Sequence, residues 1–248
     1  MPATEWGWRI EPDELESWIL QNDDRLLVVN KPGLVVCHPS KHGPWSSLVG
    51  ACREYLGVER LHMPSRLDRE TSGVVVLAKD AALGSALQKA IQLREVSKTY
   101  LAILEGRLAE PVTVEQPIGK DTGSEVVVRR WVTPDGAAST TAFEPIESNG
   151  AYTLVRIRPL TGRLHQIRVH AAWLGHPVAG DKLYGPDQRL FLEFIAEGFT
   201  RNLASKLPLR RQALHASQLE FRLESGTMTF DAPLAADLAE FHRQQFSL

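Results

Sequence analysis

Apolar and polar residues along this chain follow two rhythms, one that suits a helix face and one that suits a strand. In residues 11–21 the apolar positions Leu15, Trp18 and Ile19 carry helical spacing. Residues 24–30 then read as a strand, stopped by Lys31-Pro32-Gly33. Residues 34–37 read as a short second strand and residues 38–45 as a loop containing proline and glycine. A helix is expected over 47–55, a strand over 74–78, a helix over 81–93 and a strand over 98–106 that closes on a glycine. Further strands are expected over 126–132, 138–145 and 152–158. Residues 165–174 read as a helix ended by Gly175 and by Pro177 just beyond it. Residues 214–223 and 228–231 suggest a final strand pair, and 234–246 a terminal helix.

Strands and helices in this mixture, joined by hairpin-length turns, predict an α+β fold: a largely antiparallel mixed sheet core with flanking helices. No repeat, low-complexity tract or linker interrupts the pattern. A single domain over residues 1–248 is therefore expected, with an N-terminal extension carrying a short helix over 1–22 and a core over 23–248.

Composition narrows the class without naming a function. Apolar content of 43% and charged content of 23% suit a soluble globular protein. The longest strongly apolar run, Val74 to Ala78, falls far short of the roughly 20 residues a membrane helix needs. The first residues, Met1-Pro2-Ala3-Thr4-Glu5-Trp6, offer neither a basic start nor an apolar stretch, so no secretory signal is expected. Cys37 and Cys52, with no Cys-x-x-Cys spacing, read as reduced, buried thiols of a cytoplasmic protein. A monomer is the default expectation.

A net charge of −2 argues against a protein that coats nucleic acid, but the field that matters is local. Residues 198–219 hold Arg201, Lys206, Arg210 and Arg211 and no acid. Arg156, Arg158, Arg163 and Arg168 form a second acid-free basic stretch, interleaved with apolar residues.

The segment Ser65-Arg66-Leu67-Asp68-Arg69-Glu70-Thr71-Ser72-Gly73 places one carboxylate between two arginines and runs into the apolar strand from Val74. An aspartate in such a loop can be a nucleophile, a general base, a metal ligand or a turn residue, and the last is the commonest. Metal binding needs partners, and His62 and Glu70 do not form a recognisable ligand set with Asp68. Flanking arginines favour the ionised carboxylate that covalent catalysis requires. In Thr161-Gly162-Arg163-Leu164-His165-Gln166-Ile167-Arg168-Val169-His170, Arg168 follows Leu164 at i+4 and is expected near the buried side of a helix start. A half-buried arginine demands an anionic partner. That partner is Asp68 on a functional reading, or any surface acid on a bland one. His165 and His170 lie five apart, so the i, i+4 zinc-binding pair is missing.

Five motifs together resemble the RluA-like pseudouridine synthases. They are Lys31-Pro32-Gly33, Arg66-Leu67-Asp68, Lys98-Thr99-Tyr100, Thr161-Gly162-Arg163-Leu164-His165-Gln166-Ile167-Arg168 and Gly180-Asp181-Lys182-Leu183-Tyr184-Gly185, in the family's order. Leu214-His215-Ala216 resembles a later family element.

The resemblance implies an RNA pseudouridine synthase with Asp68 as nucleophile on a flipped-out uridine, by a covalent or a glycal route. Base extrusion costs a few kcal/mol, which pocket contacts offset. Tyr100 would stack on the uracil near the abstracted proton, Arg168 would orient the Asp68 carboxylate, and Arg66 would fill the gap left in the RNA. Arg163, His165 and Gln166 would contact substrate. No cofactor and no metal are implied, and the partner is a stem-loop of tRNA or rRNA. With no room for an appendage ahead of residue 20, the chain resembles the compact members that lack an S4-type RNA-binding domain. Ser65 departs from the family, which usually has His before Arg-Leu-Asp. A catalytically inactive RNA-binding paralogue is the alternative. The intact trio of Asp68, Tyr100 and Arg168 argues against it.

Overall fold

The computed structural model describes residues 9–38 and 43–246. The stretch read above for a secretory signal, and the middle of the 38–45 loop, lie outside the described residues. The helices are α1 (Pro12–Trp18), α2 (Leu48–Leu56), α3 (Ala81–Gln92), α4 (Gln166–Trp173), α5 (Arg189–Glu197), α6 (Arg201–Lys206) and α7 (Ala236–Phe246). The strands are β1 (Ile19–Asn22), β2 (Leu26–Lys31), β3 (Ser72–Ala78), β4 (Val96–Glu105), β5 (Val112–Val114), β6 (Ile118–Lys120), β7 (Arg130–Val132), β8 (Thr141–Ser148), β9 (Tyr152–Pro159), β10 (Leu214–Leu223) and β11 (Gly226–Asp231). They fall into two compact units. One is the chain up to Lys98 with His215–Ala235, and the other is Thr99–Leu214 with the chain from Ala236.

In the first unit the strand order is β1-β2-β3-β10-β11, antiparallel except where β3 and β10 run parallel. All seven residues of β3 are buried, which is why it reads as an unbroken apolar run instead of an alternating one. Helix α2 starts where the Ser47 hydroxyl accepts the Gly50 N–H at 3.2 Å, and α3 where Asp80 accepts the Leu83 N–H at 2.7 Å. Leu15 of α1, Leu48 and Cys52 of α2, Leu27 and Val29 of β2 and Val75 and Leu77 of β3 share one core.

In the second unit β4-β9-β8-β5 form a fully antiparallel set, and β6 and β7 make a separate hairpin. Val169 of α4 packs with Ile118, Val126, Leu183 and Tyr184. Helices α5 and α6 meet through Leu190, Leu203 and Leu207, flanked by Phe194 and Phe199. Phe241 of α7 and Tyr152 make a T-shaped contact with ring centroids 5.3 Å apart. The α+β class with mostly antiparallel strands and flanking helices is as expected. Among the described residues no helix is long and apolar enough to cross a membrane.

Some elements differ from the sequence pattern. The first helix stops at Trp18, and Ile19–Asn22 pairs with β2, a tertiary contact that the helical spacing of Ile19 conceals. Residues 34–37 form no strand. Leu34 takes φ of 70°, and the carbonyls of Val36 and Cys37 accept the N–H groups of Leu48 and Val49, the otherwise unpartnered donors of the α2 start. Of residues 126–132 only Arg130–Val132 is strand. Before it the Arg129 N–H closes a turn on the Val126 carbonyl, and Val127 and Val128 are exposed. β5, β6, α5 and α6 have no counterpart among the expected elements.

Candidate active site

The loop carrying Asp68 is fastened from several directions within the first unit. Lys31, fully buried at the end of β2, donates from Nζ to the carbonyls of Pro32 at 2.9 Å, Val35 at 2.9 Å and Arg69 at 3.2 Å. The Cys37 thiol donates to the Leu67 carbonyl at 3.4 Å, and the Thr71 N–H closes a turn on the Asp68 carbonyl at 3.1 Å. The backbone on both sides of Asp68 is thus held by groups outside the loop. Cys52 is also buried, and burial followed by the nearby Cys37 pushes its thiol up to about 12, which makes it inert.

The exit from this loop explains Thr71-Ser72-Gly73. Gly73 has φ of 118°, and a side chain there would collide with the Ala216 carbonyl of β10, so only glycine allows the parallel pairing. Ser72 lies 3.0 Å from Nδ1 of the buried His215, whose Nε2 lies 3.2 Å from the Ala232 carbonyl. A carbonyl can only accept, so the network assigns the His215 proton to Nε2 and leaves Nδ1 to accept from the Ser72 hydroxyl. Asp68 itself is half-buried and Arg66 is exposed.

The second unit gathers the remaining predicted residues except Tyr100 around the start of α4. His165 is the N-cap with φ of 58°, an uncommon conformation for a residue with a side chain. Gln166 is buried, and its amide is fully engaged within the protein. Its Oε1 accepts from the Thr161 hydroxyl at 2.7 Å and the Arg163 N–H at 3.0 Å, and its Nε2 donates to the Thr140 carbonyl and the Thr141 hydroxyl, each at 2.9 Å. Arg163 is exposed and donates from Nε to the Ala138 carbonyl at 3.1 Å. Tyr100 lies on β4 opposite Ile157 of β9 and is half-buried.

Arg168 is 7% exposed, and the anionic partner that such burial demands includes Asp181. Nε donates to Oδ2 at 2.6 Å and Nη2 to Oδ1 at 2.8 Å, a two-pronged pair. Asp181 is fully buried, and its Oδ1 also accepts the N–H groups of Leu183 at 2.9 Å and Tyr184 at 3.0 Å. Burial works to raise the Asp181 pKa. The Arg168 charge and hydrogen bonds, with the two N–H groups, outweigh it and leave the carboxyl below its ordinary value.

The motif Gly180–Gly185 builds the rest. Gly180 has φ of 75° and lies so close to the Arg211 carbonyl that a side chain would collide with it. Lys182 donates to the Arg210 carbonyl at 2.6 Å and lies over Phe194. The Tyr184 ring lies beneath Arg168, 5.0 Å from guanidinium carbon to centroid. Its hydroxyl accepts the Arg130 N–H at 3.0 Å and meets His165 Nδ1 at 2.9 Å, and burial first of all pushes its pKa up to about 12. Spacing did not reveal Asp181 and Tyr184 as partners of the α4 residues. The one available signal was the single acid of Gly180-Asp181-Lys182-Leu183-Tyr184-Gly185, which would require a counter-charge if buried.

Several arginines of the two basic stretches are engaged within the protein, while Arg201 and Lys206 are exposed. Arg211 is buried and paired with Asp237 at 2.6 and 2.8 Å, and Arg210 stacks on Phe199 at 5.0 Å. Arg156 and Arg158 both meet Glu144 of the neighbouring strand, at 3.1 and 3.6 Å. Among the described residues no group of three or more His, Cys, Asp or Glu could hold a metal ion.

Residues 25–173 match the family model described as RNA pseudouridylate synthase. The chain is 34% identical over 239 residues to ribosomal large subunit pseudouridine synthase D of Vibrio vulnificus, covering 94% of this chain and 71% of that protein. It is 36% identical to the uncharacterized RNA pseudouridine synthase YjbO of Bacillus subtilis, covering 93% and 76%. The solved structure of human RNA Pseudouridylate Synthase Domain Containing 4 is similar with a TM-score of 0.74 and 26% identity, covering 94% of this chain and 95% of that one. The α+β fold and its motif-bearing loops are therefore those of an RNA-modifying isomerase. The chain belongs to the RluA-like RNA pseudouridine synthase family.

Proposed function

We propose that the chain acts as one catalytic domain that converts specific uridines of a structured RNA to pseudouridine with Asp68 as the nucleophile. The bond between C1′ and N1 of the target breaks, the uracil turns, and a bond between C1′ and C5 forms. The proton lost from C5 is balanced by the one gained at N1, so no cofactor or second substrate enters. The carboxylate attacks either the sugar, as a covalent adduct, or the C2′ proton, through a glycal.

In this reading the target base is flipped out of the RNA, Tyr100 stacks on it, and Arg168 orients the Asp68 carboxylate. Arg66, exposed on the same loop as Asp68, occupies the space the base vacates. Arg163 and His165 meet the RNA, and Gln166 supports them by holding the Arg163 backbone. The observation that carries the reading is the fastening of the Asp68 loop by Lys31 within a chain that belongs to this family. A catalytic carboxylate needs such preorganisation. The name of the Vibrio relative supports large-subunit ribosomal RNA as the substrate class.

Total RNA from cells lacking the gene, treated with wild-type protein or with Asp68→Asn, tests this by mapping pseudouridine. The expected result is conversion at defined uridines of ribosomal RNA by the wild type and none by the variant, with RNA binding retained. Near-normal turnover by the variant would remove Asp68 as nucleophile. Conversion confined to transfer RNA would correct the substrate class, and binding without conversion by the wild type would mark an inactive paralogue.

A further inference from the structure

The pairing of Arg168 with Asp181 resolves one question and opens another. A fully buried carboxylate is costly unless its partners are fixed, and this one has four hydrogen bonds from three residues. Two come from Arg168. The other two come from backbone N–H groups of its own loop, so Asp181 cannot swing with the arginine. The loop in turn is immobilised by the close approach of Gly180 to Arg211, by the Lys182 ammonium on the Arg210 carbonyl, and by Leu183 in the core.

The shape of the pair matters as much as its strength. A guanidinium has five N–H donors in one plane. Asp181 takes the edge formed by Nε and Nη2, and the Tyr184 ring covers one face of the plane. Both the direction of the remaining donors and the tilt of the plane are thereby set by a single loop. An ion pair needed for stability alone would not require this. A hydrophobic pair of similar volume is often as stable or more so.

We propose that Asp181 is a positioning residue for the isomerisation, acting through Arg168, an inference that rests on the reading of Arg168 as the group that orients Asp68. Asp181 fixes the guanidinium plane and balances its charge. With its plane and charge so fixed, Arg168 presents its remaining donors in one direction. Asp181 touches neither RNA nor reacting atoms.

The test is a cycle of Asp181→Asn, Arg168→Met and the double variant. Each is assayed for single-turnover conversion of total RNA from cells lacking the gene, with enzyme in excess and circular dichroism confirming the fold. Asp181→Asn should slow conversion at saturating enzyme by about 100-fold, the effect of a misplacement near 1 Å, with the half-saturating enzyme concentration changed less than about threefold. In the Arg168→Met background the same substitution should slow conversion by less than about threefold, because the residue through which it acts is gone.

Equal, multiplying losses in the two backgrounds would overturn the proposal, as would wild-type conversion by Asp181→Asn. If Arg168→Met itself converts RNA normally, the underlying reading of Arg168 fails, an outcome distinct from failure of Asp181 alone. Should Asp181→Asn not fold, Asp181→Glu serves in its place. It keeps the charge and moves the carboxylate by one methylene. Slowed conversion supports positioning, and normal conversion overturns it.

Discussion

Lys31 in the first unit and Arg168 in the second are both buried cations beside motif loops, yet they are accommodated by opposite means. Lys31 donates to three backbone carbonyls, Pro32, Val35 and Arg69, a cage of dipoles that suits a compact ammonium with three donors. Arg168 meets Asp181 edge to edge, a planar fork against a planar carboxylate. The cage fixes backbone, and so shapes the loop around Asp68. The fork fixes a side chain, and so aims a charge. A lysine tolerates small shifts of its acceptors, whereas a bidentate arginine does not.

That contrast is broken most sharply by removing the arginine. Arg168→Met should lower stability by about 4 kcal/mol, because Asp181 is left buried without its counter-charge. A protein of ordinary stability, about 5–15 kcal/mol, remains folded after such a loss. Adding Asp181→Asn should restore part of that loss in urea unfolding, since the stranded charge is gone. A double variant less stable than the single one would show that the carboxylate is not stranded.

Lys31→Met should cost less, about 2 kcal/mol, since the carbonyls of Pro32, Val35 and Arg69 that lose their donor carry no net charge. It should nevertheless slow conversion, with the loop around Asp68 loosened. Equal stability losses for Lys31→Met and Arg168→Met would erase the distinction between cage and fork.

The smallest effect concerns arginines that look alike in the sequence. Neutralising exposed Arg201 or Lys206 should reduce the salt slope of RNA binding by about one for each phosphate that the residue had neutralised. Arg211→Gln should leave the slope unchanged and lower thermal stability, because Arg211 is spent on Asp237. A reduced slope with Arg211→Gln would return that residue to the RNA face.

Periodicity made much of the fold legible. The helices α2, α3, α4 and α7 and the strands β3, β9 and β10 follow local patterns that their tertiary surroundings reinforce. It was least informative where a distant partner decides, as for Ile19–Asn22 against β2, or where backbone groups serve a neighbouring helix, as for Val36 and Cys37. Helix α5 carried a usable signal in Leu190, Phe191, Phe194 and Ile195, beside a stretch more conspicuous for its basic residues. Asp68, Tyr100, Arg168 and their neighbours were readable as motifs, and Arg168 as buried. Its pairing with Asp181, thirteen positions on, was not, because no helix or strand period joins a helix residue to a loop residue.

The parallel pairing of β3 with β10 has a consequence during synthesis. Ser72 receives its His215 partner from a strand 143 residues later in the chain. At translation rates of about 5–20 residues per second, that interval is on the order of 10 to 30 seconds. Throughout it, the fully buried strand β3 has one edge without its final neighbour, just after the loop that bears Asp68. The nascent chain therefore carries a sticky edge well before it can carry out any chemistry, and early contact with a chaperone would have its target there.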